Sequence, residues 1–362
     1  MKVLVIYATA GAGHRKAAEA LYEGLNNFGD VDAVLVDSLD YTNRFYKYSY
    51  SKTYTFLISK VPWLWGFLFA LIDIKWLLPL VRLGRRIHNT INGRPLSRYL
   101  KGENFDVIFS THFFPNEVAA YLKRKGKISS KIVCAVTDYD VHSIWISSGI
   151  DVYAVATEWT KKKVMSLGVP EGAVKVTGIP TNEKFSRERD TLALKENLGL
   201  KDGVFTVLVA TGSFGIGPIE EIIEQLPGIQ VIVVCGHNKN LYQRLKRKEK
   251  ELVKICGLVD NMDELMAVSD VMITKPGGLS ISEALVSGLP LMFFNAIPGQ
   301  ETNNVNVLKK YGVGISGCPI DEMAKILNKF QSSESEFQAA QQNVKSLGKP
   351  SAVRDIISLA QK

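Results

Sequence analysis

Two stretches of the chain carry polar groups at spacings suited to an anionic, hydroxyl-rich ligand. The first is Thr274-Lys-Pro-Gly-Gly-Leu-Ser-Ile-Ser-Glu-Ala-Leu285 and the second is Pro298-Gly-Gln-Glu-Thr-Asn-Asn304. In the first, Pro276 halts the apolar run ending at Ile273, and Gly277 and Gly278 are expected to take positive φ ahead of a helix over 282–286. Strand, glycine turn and helix N-terminus together make an anion site: backbone N–H groups point outward and the helix dipole favours negative charge. Glu283, inside the first turns of that helix, repels phosphate but accepts two hydrogen bonds from a ribose diol. After the strand candidate 291–294 the arrangement recurs: Gly299 turns the chain, and Gln300, Glu301 and Asn304 offer polar groups near another helix start. Phosphate, diol and further hydroxyls describe a nucleotide sugar. An ordinary capped βα turn accounts for either stretch alone, and less readily for both at this spacing.

A third candidate lies near the start of the chain. The strand 3–7 turns at Gly11-Ala-Gly-His14 into a helix over 16–25, and a second strand follows at 31–36. Gly11 and Gly13 alone are a weak signal, and the third glycine of the dinucleotide fingerprint is missing. His14 would sit at a helix N-terminus, beyond the carboxyl ends of the strands, where a positive helix end keeps an imidazole neutral and able to take a proton. A capping role is the simpler alternative.

Strands over 105–110, 131–136 and 151–155 continue the βα alternation, and polar residues recur at their ends: Thr111-His112, Thr137-Asp138, then His142 and Trp145. His112, Asp138 and His142 lack the compact spacing of a metal set, so no metal is predicted. A boundary falls near 180, and a second βα series begins at 205–210 with Thr211-Gly-Ser-Phe-Gly-Ile-Gly217, another phosphate-type loop containing Gly212, Ser213 and Gly215. The last segment, 352–359, reads as an amphipathic helix.

Residues 41–101 break this rhythm. Eleven Lys and Arg residues against Asp73 alone leave the stretch at +10, above the +8 of the whole chain. Aromatic residues crowd it, Trp63, Trp65 and Phe67 among them. Pro62, Gly66, Asp73, Lys75 and Pro79 interrupt the apolar run 61–81, which argues against a span, since a spanning helix needs roughly 20 clean apolar residues. Basic residues beside Trp and Phe suit a segment lying in the headgroups of an anionic membrane. The alternatives are a helical hairpin packed on the first domain and a single-stranded nucleic-acid surface. No nucleic acid is expected as partner, because these aromatics look helical and no recognisable module accompanies them.

A chain of 362 residues suits two domains, and its pI near 9.1 suggests an acidic partner. Cys134, Cys235, Cys256 and Cys318 are scattered without a CxxC pair, so neither zinc nor a disulfide framework is indicated. The first residues are too short for a signal core before glycines intervene, which reads as cytoplasmic.

Lys275-Pro-Gly-Gly-Leu-Ser-Ile-Ser-Glu283 and Pro298-Gly-Gln-Glu301 resemble the donor-site motifs of glycosyltransferase family 28, which includes the monogalactosyldiacylglycerol synthases, the bacterial processive diacylglycerol glucosyltransferases and the murein N-acetylglucosaminyltransferase. Gly11-Ala-Gly-His14 is similar to that family's acceptor-side loop, Thr137-Asp138, His142 and Trp145 to its acceptor-domain residues, Gly178-Ile-Pro180 to its hinge, and Gly257-Leu-Val-Asp-Asn-Met262 to its uracil loop. The resemblance implies an α/β GT-B fold, two doubly wound Rossmann-like domains facing across a cleft: 1–180 for the acceptor, with the insertion at 41–101, 181–348 for the UDP-sugar, and 349–362 as a helix crossing back. It implies an inverting transfer of hexose from UDP-glucose or UDP-galactose to diacylglycerol, by a protein peripheral on the inner face of the cell membrane. Ser213, Gly277 and Gly278 would hold the donor's diphosphate and Glu283 its ribose, and Gly212, Gly215, Leu279 and Ser280 would also bind the donor. Leu258 and Val259 would hold its base, Gln300 and Glu301 its hexose, and Asn304 would also bind the donor. His14 would be the general base with Asp138 as alternative, and Gly13, His112, His142 and Trp145 would line the acceptor side with the membrane-facing Trp63, Trp65 and Phe67. No cofactor and no metal are expected, since helix N-termini stabilise the departing diphosphate. A murein-type transferase, a sugar-nucleotide 2-epimerase or a non-enzymatic lipid-binding protein would share parts of this pattern.

Overall fold

Strand register decides where a site can form. The computed structural model describes residues 1–360 except 10, 28, 30, 73, 75–79, 82, 83, 85–88, 90, 214, 295 and 318, with backbone alone at 45, 51, 54, 55, 58, 59, 62, 69 and 70. Cys318 and part of the basic aromatic insertion lie outside the described residues. The chain divides into two compact units: Met1–Asn182 with Ile297–Asn303 and Ser351–Lys362, and Glu183–Ala296 with Asn304–Pro350.

The first unit contains β1 (Lys2–Tyr7), β2 (Asp32–Asp37), β3 (Val107–Ser110), β4 (Lys131–Ala135), β5 (Val152–Val155) and β6 (Val174–Val176), ordered β2-β1-β3-β4-β5-β6 and parallel throughout. Alternate residues point to opposite faces, and both faces are covered, so the strands read as continuous apolar runs. Val3, Val5, Val107 and Phe109 pack with Leu21 and Leu25 of α1 (Ala12–Asn26) and with Val353, Ile356 and Ile357 of the helix Ala352–Ser358. Leu4, Ile6 and Ile108 face the other way, toward Leu96, Leu100, Phe114 and Val118.

The insertion forms α2 (Arg44–Lys60), capped by Asn43 Oδ1 accepting from the Tyr46 N–H, and α3 (Pro62–Ile72), where Pro at the first position suits a helix start. Tyr48, Phe56, Trp63, Phe67 and Leu71 are exposed, whereas Tyr46 is buried against the unit's core. Among the described residues no helix is long and apolar enough to cross a membrane.

The second unit contains β7 (Thr206–Ala210), β8 (Gln230–Val234), β9 (Val253–Cys256), β10 (Val271–Thr274), β11 (Leu291–Phe293) and β12 (Ile315–Ser316), ordered β12-β11-β10-β7-β8-β9, again all parallel. Cys134 and Cys235 are buried free thiols, and Cys256 is half-buried.

In both sheets the chain winds outward in two directions from a starting strand. The order reverses between β1 and β3 in the first and between β7 and β10 in the second, and open α/β sheets hold ligands beyond the carboxyl ends at such points.

Candidate functional site

At the second switch point Ala210 and Thr274 are register partners, so residues 211 and 275 leave the sheet side by side. The loop after β7 is a tight turn. Gly212 has φ 77° and Gly215 φ 56°, and a Cβ on Gly215 would lie 2.3 Å from the Cys235 carbonyl oxygen. Ser213 accepts from the His237 N–H at 2.8 Å, and the Asn238 amide donates to the Gly215 carbonyl at 3.1 Å, tying the loop to the end of β8.

After β10 the expectation of positive φ is corrected. Gly277 has φ −76°, Gly278 is not among the positive-φ glycines, and α4 (Gly278–Val286) begins at Gly278 itself, four residues before the expected start. The glycine serves a different purpose: a Cβ at Gly277 would meet nothing within 4 Å among the described residues, which leaves room for close approach at the start of the helix. Leu279 is buried, Ser280 is half-buried, and Glu283 sits one and a half turns into the helix, half-buried. Farther along the same edge, after β9, Leu258 is 64% exposed and Val259 half-buried.

Asn304 requires a second correction. It is fully buried, and its amide donates to the Pro276 carbonyl at 3.1 Å, so it braces the turn before α4 rather than reaching a ligand with that group. Sequence reasoning also missed Thr211. Its side chain is 4% exposed at the end of β7, and its hydroxyl has no hydrogen-bond partner among the described residues. A buried unpaired hydroxyl is costly, and this one lies at the end of β7, beside the loop 212–215.

The loop from Ile297 to Asn303 groups with the first unit. Gly299 takes φ 93°, as a turn requires. Glu301 Oε2 accepts from the Ile297 N–H at 2.8 Å and closes the turn, while Gln300 donates from Nε2 to Asp138 Oδ1 at 2.6 Å.

At the first switch point His14 lies in the first turn of α1. Its Nδ1 is 2.8 Å from the Thr111 carbonyl oxygen and 2.9 Å from the Thr137 hydroxyl. A carbonyl only accepts, so Nδ1 carries the proton and Nε2 keeps its lone pair. Burial lowers the His14 pKa to about 4, against a smaller opposing effect of the Thr111 hydrogen bond. The neutral form expected at a helix end is therefore present for another reason: desolvation dominates. The Thr111 hydroxyl donates back to the His14 carbonyl at 2.8 Å, locking the pair.

The neighbouring histidines have different work. His112 is buried and its Nδ1 accepts from the Phe114 N–H at 3.0 Å, capping the helix Phe113–Arg124, and burial with nearby His14 holds its pKa well below the usual imidazole value. His142 accepts from the Ile144 N–H at 3.1 Å, capping a short turn. Trp145 is 2% exposed, with its ring 6.0 Å from His14, and the His112 ring stands edge-on to His14 at 4.7 Å. Of the three residues expected on the acceptor side, His112 and Trp145 stand against the His14 ring, and His142 caps the turn at Ile144. Gly13 lies half-buried beside it in the first turn of α1. No group of three or more His, Cys, Asp or Glu side chains suited to a metal occurs among the described residues.

Two family models match the chain: monogalactosyldiacylglycerol synthase over residues 14–181 and the glycosyltransferase family 28 C-terminal domain over residues 206–356. A processive diacylglycerol beta-glucosyltransferase of Bacillus cereus is 30% identical over 325 residues, 87% of this chain and 81% of the relative. One of Staphylococcus carnosus is 34% identical over 239 residues, a match spanning 64% of this chain and 61% of that protein. Among solved structures, MurG of Acinetobacter baumannii aligns over 99% of both chains with a TM-score of 0.59 at 15% identity, a likeness of GT-B fold alone.

Proposed function

The chain belongs to glycosyltransferase family 28, and from that premise we propose that it transfers a hexose from a UDP-sugar to diacylglycerol at the face of an anionic membrane. The relatives' names favour glucose. The open N-terminus of α4 receives the diphosphate, with the Thr211 hydroxyl and the loop 212–215 beside it, and Glu283 accepts from the ribose diol. The acceptor hydroxyl attacks the anomeric carbon from the side opposite the diphosphate, which inverts the configuration. Its proton passes to His14 Nε2 as the bond forms, while the negative charge collecting on the leaving diphosphate is held by backbone N–H groups.

The observation that carries this chemistry is the His14–Thr111 contact, which supports a proton on Nδ1 and leaves Nε2 ready to accept, in a ring that burial keeps neutral. Asp138, the alternative base, already has one carboxylate oxygen engaged by Gln300. Docking rests on two rows of exposed side chains at helical spacing: Tyr48, Lys52, Phe56 and Lys60 along α2, and Trp63, Phe67 and Leu71 along α3. Trp65 is half-buried and contributes less. Each Lys near an anionic surface contributes about 1 kcal/mol, and ring insertion supplies a part that salt does not screen.

Incubation with labelled UDP-glucose or UDP-galactose and diacylglycerol in anionic vesicles tests the reading. Labelled glycolipid that forms with chelator present is expected, and no organic-soluble product from either donor overturns it. The Trp63→Ser/Phe67→Ser variant should lose vesicle co-sedimentation and glycolipid formation together while UDP affinity stays unchanged.

A further inference from the structure

Gly66 interrupts the most apolar of the described helices, where a larger residue would add surface to the face read above as membrane-docking. Its surroundings explain the choice. A Cβ placed on Gly66 would lie 2.7 Å from Pro298 Cβ and 3.3 Å from the Pro298 carbonyl oxygen, so α3 and this loop approach too closely there for any side chain without a shift. Pro298 stands two residues before Gln300, in the loop Ile297–Asn303 that belongs to the first unit. The same loop is held elsewhere by the Gln300–Asp138 hydrogen bond at 2.6 Å and closed on itself by the Glu301 carboxylate at the Ile297 N–H. Pro298 is rigid in φ and carries no N–H of its own, so this side of the loop is located by contact rather than by hydrogen bonding.

We infer that Gly66 is a positioning residue for sugar recognition: it seats Pro298 on the membrane-docking helix and thereby fixes where Gln300 and Glu301 present their polar groups. The inference rests on the reading of those two residues as hexose ligands and of α3 as the docking helix. It assigns α3 two tasks. The stripe Trp63–Phe67–Leu71 is exposed, whereas Gly66, beside it, bears on the loop. A sub-ångström displacement of that loop would be felt by the hexose and not by the diphosphate or ribose, whose groups lie on other segments.

The test compares Gly66→Val with the wild-type full chain by three measurements: calorimetry with UDP and with UDP-glucose, co-sedimentation with anionic vesicles, and steady-state transfer to diacylglycerol. Gly66→Val should keep wild-type affinity for UDP and for vesicles. It should lose whatever affinity UDP-glucose has beyond UDP, and KM for UDP-glucose should rise about tenfold with kcat changed less, the pattern of lost uniform binding. Pro298→Gly, which removes the opposing Cβ, should restore most of the lost KM when combined with Gly66→Val. An unchanged KM in Gly66→Val overturns the inference, as does a raised KM that Pro298→Gly leaves untouched. If Gly66→Val also loses UDP, Gly66→Ala, which adds the Cβ alone, repeats the comparison with the same two outcomes. Wild-type protein that fails to distinguish UDP-glucose from UDP sinks the hexose reading instead, before any variant is made.

Discussion

At the first switch point, between β1 and β3, the carboxyl edge of the sheet is filled with rings: His14 against His112 and Trp145, with Thr111 and Thr137 on one ring nitrogen. At the second, between β7 and β10, the described turns are built on glycine. Gly212 and Gly215 keep the chain low, and the space over Gly277 is open. The difference matches two chemical tasks. A proton acceptor needs a side chain whose charge state is set by what surrounds it, and burial provides that setting. An anion needs donors that are fixed in place and unobstructed, which backbone N–H groups supply best when side chains are missing.

The contrast breaks first at His14. His14→Ala should lower kcat by roughly 10²–10⁴, the usual contribution of a positioned base, with UDP affinity unchanged by calorimetry. Turnover near the wild-type rate would make the ring cluster a packing device. On the other edge, Glu283→Ala should weaken UDP by about 1.5–3 kcal/mol, the range for a hydrogen bond to a charged group, with the vesicle affinity as it was. An unaffected UDP affinity there removes the ribose from that helix.

Acid sharpens the comparison. His14 has its pKa lowered from 6.5 to about 4 in the folded protein, and His112 is lowered in the same direction. In that interval the unfolded chain binds protons that the native rings refuse. The stability they contribute is therefore complete above about pH 6.5 and is lost as pH falls toward 4. Melting temperature should drop by a few degrees between pH 7 and pH 4.5, and His14→Asn should flatten the slope. The kcat/KM profile should keep its acid limb near pH 4 rather than 6.5. The smallest effect is expected at Thr211. Thr211→Val removes a buried unpaired hydroxyl, so the ligand-free protein should melt slightly higher. UDP should bind about three- to tenfold more weakly, as for one neutral hydrogen bond. A rise in melting temperature without loss of affinity would place that hydroxyl outside the site.

Much of the framework was legible because local signals agreed. The run at 3–7, the turn at Gly11 and the apolar spacing of 16–25 all pointed to β1 and α1, and the alternation continued through both sheets. What failed was whatever depended on strand order or on distant neighbours. A glycine pair at 277 and 278 suggests positive φ by default, and only the geometry of α4 shows that Gly277 has negative φ with open space where a Cβ would stand. The low pKa of His14 comes from burial beside rings such as His112 and Trp145, which distant parts of the chain bring to it, and the Thr111 hydrogen bond offsets it only in part. Thr211 looks like any strand-end threonine until β10 is placed beside β7. Asn304 reads as a polar residue near a helix start, and nothing in its neighbours tells that it turns inward to Pro276.

The helix Ala352–Ser358 packs on α1 and completes the core of the first unit: Ile356 and Ile357 are buried there, and a Cβ on Gly24 would meet Val353 Cγ1 at 2.3 Å. That helix follows the whole second unit in the chain. On the ribosome the second unit therefore has all its strands before the first has its final layer, and residues 1–182 must wait with the apolar face of α1, including Ala18, Leu21 and Leu25, uncovered. Domains generally fold as units while synthesis proceeds at about 5–20 residues per second. The half of the molecule made first is thus the half finished last, and until the helix arrives its apolar face has no partner from its own chain.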